Sequence, residues 1–166
     1  MLKNISSVIS PDLLWLPASM GHGDDLVLVD RNFPAVQVAK QTSTGRLIEL
    51  PGLNIPQATR AILSLMPLDH FVEEPVTRMR VVDDPDSLLE IQREVTRLPE
   101  AEGREVKMGA LERFAFYEAA SKGAAVVRTS EFRPYGCFLF RWALFLTADC
   151  MTKSKSSRAG TTNHLD

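Results

Sequence analysis

Leu26-Val27-Leu28-Val29 is an unbroken apolar, β-prone run that ends on Asp30. A strand with one wet face alternates polar and apolar residues, so a run without alternation needs cover on both faces. Ala124–Thr129 and Cys137–Phe140 read as further buried strands, and short strands are expected at Arg46–Leu50 and Val76–Val82. Helix signals fall between these runs. Ser10-Pro11-Asp12 offers an N-cap hydroxyl, a proline at the first helical position and an acid in the first turn, and Leu13, Leu16 and Met20 then recur at helical spacing. Pro17 predicts a kink or early stop, and Gly21 is expected to end the helix in the left-handed conformation. Further helices are predicted from about Pro56 to Met66, from Asp84-Pro85-Asp86 through Arg97, and from about Ala110 to Lys122. Their expected buried positions are Ala58, Ile62, Leu65 and Met66 in the first, Leu88, Ile91 and Val95 in the second, and Phe114 and Tyr117 in the third. Asn32-Phe33-Pro34 and residues 99–108 read as loops. Strands alternating with helices predict a three-layer α/β/α single domain with a mostly parallel or mixed sheet.

Composition narrows the function. Nineteen Lys and Arg against twenty-one Asp and Glu leave a net charge of −2, without the basic excess of a nucleic-acid binder. The longest apolar stretch, Cys137–Ala148, is interrupted by Arg141 and is too short for a membrane span of about 20 residues. No secretory signal is visible near Met1. Cys137 and Cys150 are too few for a disulfide scaffold or a four-thiolate zinc site, and the three histidines have no metal-ligand spacing. There is no glycine-rich phosphate loop and no Gly-x-Ser-x-Gly elbow. A cytoplasmic, thiol-reduced, metal-free protein is expected. The composition turns small and polar from about Met151, so the domain is expected over residues 1–145 and an atypical, disordered tail over 146–166.

Four places could carry chemistry. Gly21-His22-Gly23-Asp24-Asp25 puts an imidazole, a side chain suited to acid/base work, on backbone that turns sharply, or its His and Asp side chains only cap the next element. Asp30 ends a buried strand, where ligands of open α/β sheets collect, or it caps the turn at Arg31-Asn32. Arg113 is a site residue or a surface charge, and Tyr135 stacks on a ligand or plugs a gap beside the sheet. Cys137, lone on a buried strand, fits an inert small hydrophobe better than a nucleophile. Pattern alone leaves each pair open.

The ordered set of segments resembles the RbsD/FucU family of sugar mutarotases. It comprises Ile9-Ser10-Pro11-Asp12-Leu13-Leu14, Met20-Gly21-His22-Gly23-Asp24, Val29-Asp30, Asn32-Phe33-Pro34-Ala35 and Pro67-Leu68-Asp69. It continues with Glu112 to Glu118, Ala125-Val126-Val127 with Glu131, and Tyr135-Gly136. The resemblance implies a three-layer α/β/α fold and cofactor-independent exchange of sugar anomers, with the fucose branch favoured over ribose pyranase. A non-catalytic monosaccharide-binding or transport-associated module is the alternative of another class. By resemblance His22 is catalytic, Asp30, Arg113, Tyr135, Gly136 and Cys137 bind the sugar, and Asp24 supports them. The resemblance further implies homo-oligomeric rings, often decamers of two stacked pentamers, with sites near subunit interfaces. Two departures stand out: the family commonly carries Asn where this chain has Cys137, and it usually ends soon after Phe140.

Overall fold

A computed structural model describes residues 2–69, 71–101 and 106–143. The tail expected over 146–166, and His70, lie outside them.

The helix announced by Ser10-Pro11 forms as α1 (Pro11–Ser19), with the Ser10 side chain accepting from the Leu13 N–H. Pro17 is buried inside it, and the helix stops two residues later. Gly21 does not supply the left-handed stop: Met20 is already extended, and the glycine with positive φ is Gly23, at +87°. The strands are β1 (Asp25–Val29), β2 (Leu47–Leu50), β3 (Val76–Met79), β4 (Met108–Leu111), β5 (Ala125–Thr129) and β6 (Phe138–Arg141). They form one six-stranded sheet in the order β2-β5-β1-β6-β3-β4. Five strands run parallel, and β6 is inserted antiparallel between β1 and β3.

Because β1 is apolar from Leu26 to Val29, it feeds two cores. Leu26 and Leu28 pack with Phe138 and Phe140 under α1, α3 (Ile55–Leu63) and α4 (Glu90–Ala101). Val27 and Val29 pack with Leu139 and Val126 under α2 (Ala35–Ala39) and α5 (Arg113–Ser121). This is the expected three-layer α/β/α sandwich. No helix of the described residues is long and apolar enough to cross a membrane.

Three local expectations need correction, and one short helix was not expected. Asp84-Pro85-Asp86 does not open α4, which starts at Glu90 and continues through Pro99 to Ala101. The five-residue α2 is too short to announce itself by periodicity. Strand β4 occupies Met108–Leu111, where a loop and then a helix start were expected. As a result α5 begins only at Arg113, capped by the Glu112 carboxylate, which accepts from the Phe114 and Ala115 N–H groups. That start turns Phe116 and Ala120 inward and leaves Phe114, expected in the core, 67% exposed.

Candidate active site

The carboxyl ends of β1, β3 and β4 and the amino end of β6 share one edge of the sheet, because β6 alone is reversed. Residues just beyond those ends line a cleft of about 190 Å³: Asp30, Asn32, Met79, Arg113, Tyr117 and the turn Pro134–Cys137. A crevice at the carboxyl edge, where strand direction changes, is where an open α/β sheet exposes backbone and side chains to a ligand.

Asp30 forms the floor and is 3% exposed. Its Oδ1 accepts from the Asn32 N–H at 2.8 Å, and its Oδ2 accepts from the Gly136 N–H at 3.1 Å and the Cys137 thiol at 3.5 Å. Burial pushes the carboxyl above its ordinary range, and the hydrogen bonds from Asn32, Cys137, Gly136 and Phe33 only partly offset that. Burial also pushes the Cys137 thiol well up, as does the Asp30 charge, so Cys137 is a thiol donor rather than a nucleophile. Tyr117 is likewise raised by burial and keeps its phenolic proton.

The turn that closes the cleft is strained and braced. Tyr135 sits at φ +61°, a left-handed conformation uncommon for a bulky side chain. Its carbonyl accepts from Gln92 Nε2 at 3.3 Å and its hydroxyl accepts from the Val82 N–H at 3.4 Å. The same Gln92 amide, fully buried, donates to the Met79 carbonyl at 3.0 Å, so one side chain ties the end of β3 to the turn. Gly136 has no room for a side chain: a Cβ there would lie 2.9 Å from Ile91 Cδ1 and 3.1 Å from Ile55 Cγ1.

His22 and Asp24 lie at the other end of β1. Trp142 N donates to the Asp24 carbonyl at 2.9 Å, and the Gly23 N–H donates to the Trp142 carbonyl at 3.1 Å. Asp24 Oδ2 accepts from the Gly21 N–H at 2.8 Å, so Asp24 closes the turn that carries His22. The imidazole is half exposed and holds Asp69, with Nε2 3.2 Å from Asp69 Oδ2. At about 3.3 Å of rise per residue, the five steps from Asp25 to Asp30 span about 16 Å. One chain therefore brings Asp30, Arg113, Tyr135, Gly136 and Cys137 together and keeps His22 and Asp24 apart from them.

Residues 3–144 match the model of the RbsD / FucU transport protein family. The chain belongs to the RbsD/FucU family. The fucose mutarotase of Mus musculus is 42% identical over 144 residues, covering 84% of this chain and 92% of its own. The crystal structure of the fucose mutarotase of Streptococcus pneumoniae in complex with L-fucose superposes with a TM-score of 0.78 at 36% identity, covering 87% of this chain and all of that one. RbsD of Bacillus subtilis complexed with D-ribose, at 21% identity and a TM-score of 0.67 over 88% of this chain and 100% of that one, shares the fold.

Several residues around this RbsD/FucU site had no role readable from the sequence. Gln92 lies beside the apolar stripe of α4, where a buried amide and a wet one look alike. Glu131 stood in the resembling set of segments without a role, and Arg133 was not singled out. Yet Glu131 is 2% exposed, and Arg133 forks onto it through Nε at 3.0 Å and a terminal nitrogen at 2.9 Å while also gripping Glu94 on α4 at 2.9 and 3.1 Å. Burial alone would raise the Glu131 carboxyl; the Arg133 guanidinium and the Arg133 and Ile55 N–H groups outweigh it and hold the group below the ordinary range. A carboxyl lowered on folding stabilises above its unfolded-state pKa, and that contribution disappears as pH falls through the lower folded value. Glu131→Gln should therefore cost roughly 3 kcal/mol at neutral pH, or about 6–12 °C of Tm in a chain of this size. The gap to wild type should close in acid. Calorimetry at pH 7 and at about pH 3 checks it; an equal gap at both would exclude an ionic brace.

Proposed function

We propose that this protein is a cofactor-independent isomerase that interconverts the α and β anomers of L-fucose, at a site completed between two copies of the chain. The observation that carries the reading is the cleft at the carboxyl edge. A buried acceptor, Asp30, faces a multi-donor fork, Arg113, in about 190 Å³. That is below the ~300–1,000 Å³ of pockets for drug-sized ligands and on the scale of one sugar ring. Both partners suit a neutral polyol: the guanidinium only donates and the ionised carboxylate only accepts, which fixes the ring's orientation.

Anomer exchange requires the proton to leave the anomeric hydroxyl, the ring oxygen to gain one, and the bond between C1 and the ring oxygen to break. The open-chain aldehyde turns about C1–C2, and the reverse steps close the ring on the other face. Nothing is oxidised and no proton is gained or lost overall. A side chain that can both give and take a proton suffices, and the imidazole of His22 has a nitrogen for each task. Since His22 stands about 16 Å along β1 from the cleft of its own chain, a neighbouring copy supplies it.

Exposed apolar side chains support that contact. Phe71, 69% exposed, stands edge-on to the His22 ring at 6.1 Å. At the cleft, Phe114 stacks edge-on to Tyr117, the Phe132 carbonyl accepts from Asn32 Nδ2, and Val82 adjoins the Tyr135 hydroxyl. These three are 67%, 74% and 46% exposed. One edge of a copy meeting the opposite edge of the next is a heterologous contact, which closes into a ring when the rotation allows.

Exchange NMR on equilibrated sugars tests the reading. The protein should speed exchange between the anomer signals of L-fucose, and much less the pyranose–furanose exchange of D-ribose. Tight binding of L-fucose without faster exchange would make the protein a sugar-binding module and end the enzyme reading.

A further inference from the structure

One peptide unit of the cleft is gripped from both sides. The bond from Tyr135 to Gly136 is trans, so its carbonyl and its N–H point in opposite directions. The N–H donates to Asp30 Oδ2 at 3.1 Å. The carbonyl accepts from Gln92 Nε2 at 3.3 Å, on the side of α4.

Gln92 stands in the first turn of α4, and its partners fix which end of the amide is which. Oε1 accepts from the Leu89 N–H at 3.2 Å, while Nε2 spends its two protons on the carbonyls of Met79, at 3.0 Å, and Tyr135. The Met79 carbonyl thus anchors the amide to the end of β3, and the second proton is left for the turn. A peptide unit turns over through ψ of the residue before it and φ of the residue after it. Here the second residue is a glycine, which accepts either sign of φ. The first, Tyr135 at φ +61°, keeps a conformation that persists only where its surroundings over-determine it. Turned over, the unit would show Asp30 a carbonyl in place of its N–H, an acceptor against an acceptor. Oδ2 would then keep only the Cys137 thiol, a weak donor at 3.5 Å.

The geometry points to Gln92 as a positioning residue for sugar binding: it locks the Tyr135–Gly136 peptide with its N–H toward Asp30, and so holds the carboxylate in the orientation that accepts a sugar hydroxyl. This rests on the reading of Asp30 as the sugar's acceptor. Gln92 itself is fully buried behind the turn and acts through that one peptide unit.

The test is Gln92→Met, which keeps the length of the side chain and removes both donors. Of the two tyrosines only Tyr135 precedes a glycine, so carbonyl-¹³C tyrosine with ¹⁵N glycine gives one NMR signal for this peptide unit. L-fucose exchange NMR beside wild type gives KM and kcat, and thermal unfolding verifies the fold. The expected result is a rise in KM of about tenfold or more with kcat within about threefold, since a hydrogen bond to a charged group is lost from binding. The Gly136 signal should move, and its amide should exchange with deuterium at least about tenfold faster. Were Gln92 only a cap for α4, the variant would lose Tm and keep wild-type KM and Gly136 signal; that outcome overturns the proposal, as does a loss confined to kcat. Whether or not the variant folds, a wild-type Gly136 amide that exchanges as fast as an exposed loop amide, or whose signal ignores Asp30→Asn, overturns it too. The signal involves no sugar, so a wild-type protein that neither binds L-fucose nor speeds its exchange refutes instead the reading on which the proposal rests.

Discussion

Replacing His22 with alanine should bring exchange between the L-fucose anomers close to the uncatalysed rate while leaving the protein folded and able to bind the sugar. The two halves of that expectation have separate causes. His22 is half exposed on a turn held by backbone bonds to Trp142 and by Asp24, so its side chain carries little of the fold. Surface substitutions of this kind change stability by about 0.5 kcal/mol or less. The groups proposed to bind the sugar hydroxyls stand at the other end of the strand and remain untouched. What disappears is proton transfer, worth about 10²–10⁴-fold when a positioned side chain performs it. The competing carrier is Asp30, whose carboxyl burial raises above its ordinary range and which already faces the cleft. A variant that keeps more than about a tenth of the wild-type acceleration, measured by saturation transfer between anomer signals, would transfer the role from His22 to Asp30.

The parts of the fold that could be read in the chain are those where one physical requirement dominates. An apolar run without alternation must be covered on both faces, and β1, β5 and β6 are. The carboxyl edge as the place for a ligand was equally readable, because Asp30 follows such a run directly. Misreadings arose where neighbours rather than spacing decide. Strand β4 is four residues long and contains Gly109, against which Glu74 packs closely, so nothing in its own residues marks it as a strand. Missing it shifted the start of α5 and exchanged Phe116 for Phe114 as the inward residue. Asp69 stood in the resembling segment Pro67-Leu68-Asp69, but its contact with His22 had no signal, since the two are remote in sequence and meet only because Leu68 and the His22 turn both bond to the end of β6. The short step from His22 to Asp30 concealed the most consequential fact: eight positions in sequence are opposite ends of a strand in space.

That separation makes a second large effect testable. His22→Ala and Asp30→Asn should each be inactive, one lacking the proton carrier and the other the sugar acceptor. Co-expressed in equal amounts, they should recover activity. In a head-to-tail ring each cleft uses its own Asp30 and the histidine of the adjacent copy. A cleft then works when its own copy carries His22→Ala and the adjacent copy carries Asp30→Asn, which random assembly provides for about one cleft in four. Recovery near a quarter of the wild-type acceleration, from assemblies shown by mass spectrometry to contain both variants, is the expected result, and Arg113→Ala in place of Asp30→Asn should behave alike. A site lying within one chain gives no functional cleft in any mixture, because every copy then lacks one of the two residues. Mixed assemblies without recovered exchange would therefore exclude the shared site. They would also require a change within a single chain that brings His22 to Asp30 across the length of β1, whose Leu26, Val27 and Leu28 are held on both sides by β5 and β6.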